Sequence, residues 1–524
     1  MKNTTYFNSM TGGNPYEPTN DLLRGIRHHF LLEVCPWDDY FPRMAQTDFF
    51  LGRHKKKSSK TYFIRKAPFN GSFAILGGLT AALRTLADFT FDDVVCAVLK
   101  DQGYKKEFID FLHNDLKTIK VNVFSSPEGS VFLPNEPVIV WEGDLVSVRL
   151  AEGIFSKHIN YPSLSMTKWN RVKSVSSPGK LLEFARRRAQ DDERTTLYGH
   201  LGGADITSNS NIRTSFDIMT SGTMGHEFVQ SFGDEYEAFD KWLEINPDRP
   251  VLLIDTIDTL QSGLPNAIKA FKKHLARIKA AGANMGIRND SGDLAYITIE
   301  ERRILDAAGL QDVWIFETND LDEYNIQAIK EQIFTHAARA GLDPTTIFSK
   351  IVWACGTNPG TCSDQPSIGG VAKLTSIENY RGEEKAVIKI AHDNPIKTSI
   401  PGDNRSAFIW DGEEFLCCLI YHKDEIANRC AVAYHPDDES KSIILQHHDN
   451  LGFSYRQQLV YRWDKPFESD ITLQDVRKLV NDETDLLHWT CKRLENPHLM
   501  KVSLSEQVFQ LRQHLISERK LIEE

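Results

Sequence analysis

Apolar runs in the middle of the chain end in polar clusters, again and again. The four clearest are Val251–Asp258 (VLLIDTID), Met285–Asp293 (MGIRNDSGD), Val313–Asp320 (VWIFETND) and Ile351–Thr357 (IVWACGT). They recur at intervals of roughly thirty to forty residues, the length of one strand–helix unit. Helical patterns fill the gaps and predict helices over Leu181–Gln190, Glu227–Ile245, Leu264–Ala281, Ile299–Ala308 and Asp322–Ala340. Strands that each deliver a polar cluster predict an α/β barrel with its chemistry at one rim.

The flanks read differently. Up to about residue 170 the chain mixes strands and helices. Short strands are expected around Pro127–Gly129 and around Glu142–Asp144. After Leu374 the pattern turns to short strands and turns, then to a charged amphipathic helix over Leu504–Ile522. A strand over Phe415–Tyr421 would point Cys417 and Cys418 to opposite faces.

Composition narrows the classes. A net charge of −11 argues against a nucleic-acid surface, which needs a basic face. The densest basic run, His54–Lys57, reads first as a solvated loop, with phosphate or partner binding as the alternative. Eight scattered cysteines without a CxxC pair fit a reduced, cytoplasmic protein. The start, Met1–Thr5, has no apolar signal core, and no apolar run is long enough to span a bilayer, so no membrane association is expected.

Several segments carry candidate chemistry. In Ser221–Phe228 (SGTMGHEF) a Gly-rich turn leads into a helix beginning near His226, where free backbone N–H groups favour a bound or covalently attached phosphate. A packed core histidine fits that segment too. Arg288, Asp290 and Asp293 end one apolar run, and Asp255 and Asp258 another. Such sets can hold a divalent metal, sugar hydroxyls and an anionic group, or simply cap turns. Phe184, Arg187 and Arg188, at helical spacing, would share one face able to clamp a planar anion. Gly202–Asn209 and Gly356–Gly360 are small-residue loops able to present amides to phosphate.

Taken in order, these segments closely resemble nicotinate phosphoribosyltransferases. The matching stretches include Tyr62–Phe69, Ser126–Gly129, Leu182–Gln190, Thr207–Asn209, Gly222–His226 and Leu253–Thr259. They continue through Gly286–Leu294, Thr318–Asp322, Ile368–Leu374 and Lys397–Gly402. GIRNDSGDL together with GTMGH is the most specific part.

The resemblance implies an irregular TIM-like α/β barrel with a second α+β domain built from N- and C-terminal segments. The expected division is 1–175, 176–375 and 376–524, the last partly returning to the first. It implies transfer of phosphoribose from 5-phosphoribosyl 1-pyrophosphate to nicotinate in NAD biosynthesis, with ATP as co-substrate coupled through a phosphorylated His226. Mg²⁺ is expected, held indirectly by Asp255 and Asp290, which also orient ribose hydroxyls and His226.

Further roles follow from the same resemblance. Arg288 is expected to pair with the nicotinate carboxylate, Phe184 to stack on the ring, and Arg187 to hold the pyridine pocket or a phosphate. Gly356 and Thr357 are expected at the 5′-phosphate, with Thr207 and Asn319 also at the substrate. Ser208 stands where nicotinamide-using relatives carry an acid. A hydroxyl there can donate to a carboxylate, which favours nicotinate. A homodimer with shared sites is implied, to which Arg65 and Phe50 contribute. The early tyrosine motif of the family has no clean match: Gln46–Phe50 is the best candidate and Asn20–Leu23 the alternative. Rival readings are a nicotinamide phosphoribosyltransferase and, from a different class, a metal-dependent barrel lyase or hydrolase.

Overall fold

The structure, a computed structural model, describes residues 34–391 and 397–523, with side chains through residue 518. The Asn20–Leu23 candidate therefore lies outside the described residues. The chain divides into two compact units. Among the described residues, one is Ser165–Pro366; the other holds residues 34–164 and those from Ser367 onward.

The first unit is built on six short parallel strands: β1 Lys180–Glu183, β2 Ile206–Thr207, β3 Val251–Leu253, β4 Gly286–Asn289, β5 Trp314–Glu317 and β6 Ile351–Cys355. Their order across the sheet is β2-β1-β6-β5-β4-β3. That is a closed cycle cut once, between β2 and β3, so the sheet is a curled, open α/β barrel. The barrel expectation holds, and four of the six strands are the four apolar runs read from the sequence.

Helices follow the strands and cover them. Leu264–Ala280 follows β3, Leu294–Ala307 follows β4, and Glu323–His336 follows β5. Strands apolar on both sides suit a parallel sheet, and Leu252, Ile254, Phe271, Ile287 and Ile315 share one buried core. Asp293 and Asp322 cap their helices by accepting backbone N–H bonds, and Asp258 does the same for the Thr259–Gly263 turn.

Three local expectations are corrected. Leu181–Gln190 is not a helix: it is β1 followed by a turn at Ala185–Ala189. Pairing of Leu181 with Trp353 and Glu183 with Cys355 overrides the helical spacing. Phe184, Arg187 and Arg188 therefore share no helix face. The region Glu227–Ile245 is two helices, His226–Phe232 and Glu235–Ile245, broken where Gly233 adopts φ +72° and Asp234 caps the second. Glu142–Asp144 is not a turn. Ile139–Asp144 runs straight into the 32-residue helix Leu145–Ser176, and Gly143 permits close strand packing, since a Cβ there would sit 2.4 Å from the Lys120 carbonyl oxygen.

The second unit contains a six-stranded antiparallel sheet that joins both ends of the chain. Its order is Glu384–Ala386, Val371–Glu378, Lys57–Phe63, Ile139–Asp144, Val121–Ser125, Gln458–Arg462. A further sheet is wholly C-terminal and includes Glu414–His422, on which Cys417 and Cys418 enter different core clusters. Its strand Val502–Ser505 precedes the final helix, Glu506–Glu523, so the expected helix starts two residues later than Leu504. All eight cysteines are free. Among the described residues no helix is long and apolar enough to cross a membrane.

Candidate active site

Strands β3 and β4 lie side by side, with Leu253 opposite Arg288. Two residues beyond each partner come Asp255 and Asp290, so the sheet itself brings these carboxylates together. The Asp290 backbone N–H donates to Asp255 Oδ2 at 2.9 Å, and the Ser291 hydroxyl donates to the same oxygen at 2.7 Å. The Asp255 side chain is only 2% exposed, and its other oxygen, Oδ1, receives no hydrogen bond. That oxygen lies 3.7 Å from His226 Nε2, and Asp290 Oδ2 lies 3.8 Å from the same nitrogen. His226 Nδ1 sits 3.2 Å from the Thr256 hydroxyl. The imidazole thus stands between a threonine and two carboxylates, at the first residue of its helix.

Arg288 completes the group. Its Nη2 is 3.3 Å from Asp290 Oδ2, and its Nη1 donates to the Thr223 hydroxyl at 2.9 Å. The guanidinium lies 5.4 Å from the centre of the Phe184 ring, within cation–π range. The Thr318 hydroxyl rests against Asp290 Oδ1 and the Asn289 carbonyl. The result is a planar cation over an aromatic face, beside two acids and a histidine.

Behind this mouth, the intervening side chains turn toward the helix Leu294–Ala307. Asn289 Nδ2 donates to Glu301 Oε2 at 3.0 Å, and the Thr298 hydroxyl donates to Glu317 Oε1 at 2.6 Å. Both glutamates are fully buried. Burial, chiefly, pushes the Glu317 carboxyl up to about 7, with the Asp255 charge adding to it. Burial and the neighbouring Glu317 charge push Glu301 in the same direction.

At the β1–β6 side, the Phe184 N–H donates to the Cys355 carbonyl at 2.7 Å. Gly356 follows, and a Cβ there would meet the Phe184 carbonyl oxygen at 3.2 Å, a tight approach that glycine relieves. Thr357 opens a five-residue helix. Thr207 is buried and gives its hydroxyl to Glu183, which also accepts from Thr196 and the Ala185 N–H. Burial pushes the Glu183 carboxyl up. Ser208 is half-buried, its N–H bonded to the Glu183 carbonyl at 2.9 Å. Arg187 is exposed on the turn, and Asn319 is exposed with φ +121°.

Phe50 and Arg65 belong to the other unit. Phe50 ends the helix Tyr40–Phe50, half exposed, with Lys105 Nζ 4.8 Å from its ring centre. Arg65 follows the strand Lys57–Phe63 and lines a cavity of about 240 Å³ with Lys66, Ser399 and Arg512; its Nε is buried without a hydrogen-bond partner.

Sequence reading missed the hydroxyls that hold the group: Thr223, Thr256, Ser291 and Thr318. Three of them directly follow an acid at a strand end (Asp255, Asp290, Glu317), and that repeated acid–hydroxyl pair was the available signal. Among the described residues no set of three or more His, Cys, Asp or Glu side chains is arranged to hold a metal ion. Two adjacent carboxylates, one with an unpaired oxygen, do fit the indirect grip that a hydrated Mg²⁺ takes.

An open parallel barrel that collects a histidine, two carboxylates and an arginine at the carboxyl ends of its strands is an α/β-barrel enzyme with a site for an anionic substrate. Two family profiles match the chain: the nicotinate phosphoribosyltransferase (NAPRTase) N-terminal domain over residues 37–160, and the C-terminal domain of the same family over residues 411–512. A nicotinate phosphoribosyltransferase of Bacillus subtilis (strain 168) is 33% identical over 495 residues, covering 92% of this chain and 95% of its own. One from Dictyostelium discoideum is 27% identical over 90% of this chain and 86% of its own. The crystal structure of human nicotinic acid phosphoribosyltransferase shares the fold, with a TM-score of 0.72 at 23% identity over 93% of this chain and 100% of that one. The chain belongs to the nicotinate phosphoribosyltransferase family.

Proposed function

We propose that the protein transfers phosphoribose from 5-phosphoribosyl 1-pyrophosphate to nicotinate, forming nicotinate mononucleotide and pyrophosphate in NAD biosynthesis. The observation that carries this reading is the meeting of His226, Asp255, Arg288 and Asp290, drawn from three separate strand–helix units, at one barrel mouth. In the transfer, the pyridine nitrogen forms a bond to the ribose anomeric carbon while the bond to the pyrophosphate oxygen breaks. The bonding electrons leave with pyrophosphate, and the ring nitrogen becomes cationic.

Each side chain has a task in that step. Arg288 fixes the nicotinate carboxylate and Phe184 stacks on the ring, as their own cation–π contact prefigures. Asp255 and Asp290 orient ribose hydroxyls; the network behind them keeps both in register, and held geometry lowers the barrier by several kcal/mol. Arg187, Thr207 and Asn319 complete the substrate rim, and Gly356 with Thr357 takes the 5′-phosphate. The Ser208 hydroxyl donates to a carboxylate, favouring nicotinate over its amide. Mg²⁺, held through Asp255 and Asp290, would supply neutralising charge to the pyrophosphate.

ATP hydrolysis is coupled through His226: an imidazole nitrogen takes the γ-phosphoryl group, ADP leaves, and water later releases phosphate. The working form is a homodimer in which Phe50 and Arg65 serve the neighbouring subunit's site, and the setting is cytoplasmic.

The test is a mononucleotide assay with phosphoribosyl pyrophosphate and Mg²⁺, with and without ATP, offering nicotinate and nicotinamide side by side. Nicotinate should be strongly preferred and ATP should stimulate turnover. In His226→Ala the stimulation should vanish while slow base transfer persists. Preference for nicotinamide would sink the Ser208 argument, and full ATP stimulation of His226→Ala would sink the phosphohistidine.

A further inference from the structure

Lys168 and Arg171 sit three residues apart on the helix Leu145–Ser176 and so share a face. Both are buried, Lys168 almost wholly, and a lysine so placed must be paired. Its Nζ lies 2.8 Å from Glu323 Oε2 and 2.9 Å from Asp364 Oδ2, while Arg171 Nε lies 2.8 Å from Glu323 Oε1. Two cations thus meet two carboxylates.

The two carboxylates come from different rim segments. Glu323 opens the helix after β5, three residues past Asp320. Asp364 follows the short helix Thr357–Thr361, two residues past Cys362. Those are the places where the barrel rim is strained: Asn319, Asp320 and Cys362 have φ of +121°, +41° and +48°. Non-glycine residues hold such backbones only where their surroundings over-determine them. A direct tie runs between the same two segments, because Asn358 Nδ2 donates to the Asp320 carbonyl at 2.8 Å.

A buried ion pair is weak evidence for stability, since desolvation offsets most of the attraction; what this one does is hold the segments that carry its two carboxylates at fixed places. We propose that Lys168 is a positioning residue: by gripping Glu323 and Asp364 together it locks the Asn319 loop to the Gly356–Thr357 loop, making a single preformed cradle for the phosphoribosyl phosphate. This rests on the phosphoribosyl-transfer reading above. The lysine itself touches no substrate. Its effect is to spare the ligand the cost of ordering two strained loops on binding.

The experiment uses the full chain with Lys168→Met, Lys168→Arg and Asp364→Asn. Binding of phosphoribosyl pyrophosphate with Mg²⁺ is measured by calorimetry, alongside KM for each substrate and the melting temperature. Lys168→Met and Asp364→Asn should each weaken phosphoribosyl pyrophosphate binding by about tenfold or more, with KM for nicotinate held within about twofold. Lys168→Arg should recover part of the loss. Asp364 is 38% exposed, so Asp364→Asn should fold normally, and it decides the matter alone if Lys168→Met does not fold. Wild-type binding by folded Asp364→Asn, with any effect confined to melting temperature, would overturn the inference and leave the enzyme reading intact. No binding by the unaltered protein would overturn the phosphoribosyl reading, and this inference with it.

Discussion

Two layers of acidic groups flank strand β4 and behave in opposite ways. On the mouth side, Asp255 and Asp290 are held by N–H and hydroxyl donors and face a histidine and an arginine. On the helix side, Glu301 and Glu317 are fully buried and share Asn289 as a donor, Thr298 donates to Glu317, and among the described residues Arg302 is the cation that acts on Glu301. Alternation along a strand separates these layers by a single residue, Asn289 from Arg288 and Asp290. Carboxylate chemistry alone therefore says little. Donors and cations keep one layer ready for an anionic substrate and its cation, whereas desolvation holds the other toward its neutral acid form.

The largest effect expected is on the mouth layer. Asp255→Ala removes the acceptor for both the Asp290 N–H and the Ser291 hydroxyl, freeing the loop that carries Asp290. Misplacing reacting groups by about 1 Å costs on the order of a hundredfold in rate, so kcat/KM for mononucleotide synthesis should fall by at least that factor. A loss of only a few fold, in a variant with a normal melting temperature, would mean that the mouth layer does not set the geometry.

The next effect separates binding from chemistry within the mouth. Arg288→Ala should mainly raise KM for nicotinate, by roughly ten- to a hundredfold, the equivalent of a charge-assisted pair of about 1.5–3 kcal/mol. Because Arg288 also contacts Asp290, some fall in kcat is expected as well. An unchanged KM would reassign the arginine to holding Asp290.

What was legible follows from the same layering. Asp255, Arg288 and Asp290 could be found because they end apolar runs in polar clusters, and His226 because the Gly-rich motif before it is specific. Strand β1 was missed for a physical reason. Lys180–Glu183 runs into three arginines flanked by alanines, which favour helix, so pairing with Ile351–Cys355 decided its state. The buried layer escaped too. Glu301 sits inside a helix among Glu300, Arg302 and Arg303, where one buried acid looks like any surface charge. Glu317 was visible only as part of the polar cluster, and its direction depends on the register with Asn289.

The smallest effect on activity, and the cleanest test of the contrast, belongs to Glu317. Its folded carboxyl is raised above the unfolded value, so the native state holds a proton that the unfolded chain has already released. The stabilising contribution is full below the ordinary carboxylate range and is lost as pH rises through about 7. Glu301 acts in the same sense, from the same burial. Glu317→Gln replaces the neutral acid by a neutral amide of similar shape that cannot ionise. Its melting temperature should therefore fall less than that of the unaltered protein between about pH 5 and about pH 8, with the gap widest at the alkaline end. Activity near neutrality should change little, because Gln can still accept from Thr298 and Asn289. The mouth layer gives the opposite outcome for the same kind of exchange, since Asp290→Asn should damage turnover at every pH. Parallel melting curves for Glu317→Gln and the unaltered protein across that range would show that the inner glutamate is ionised throughout and that the two layers do not differ as described.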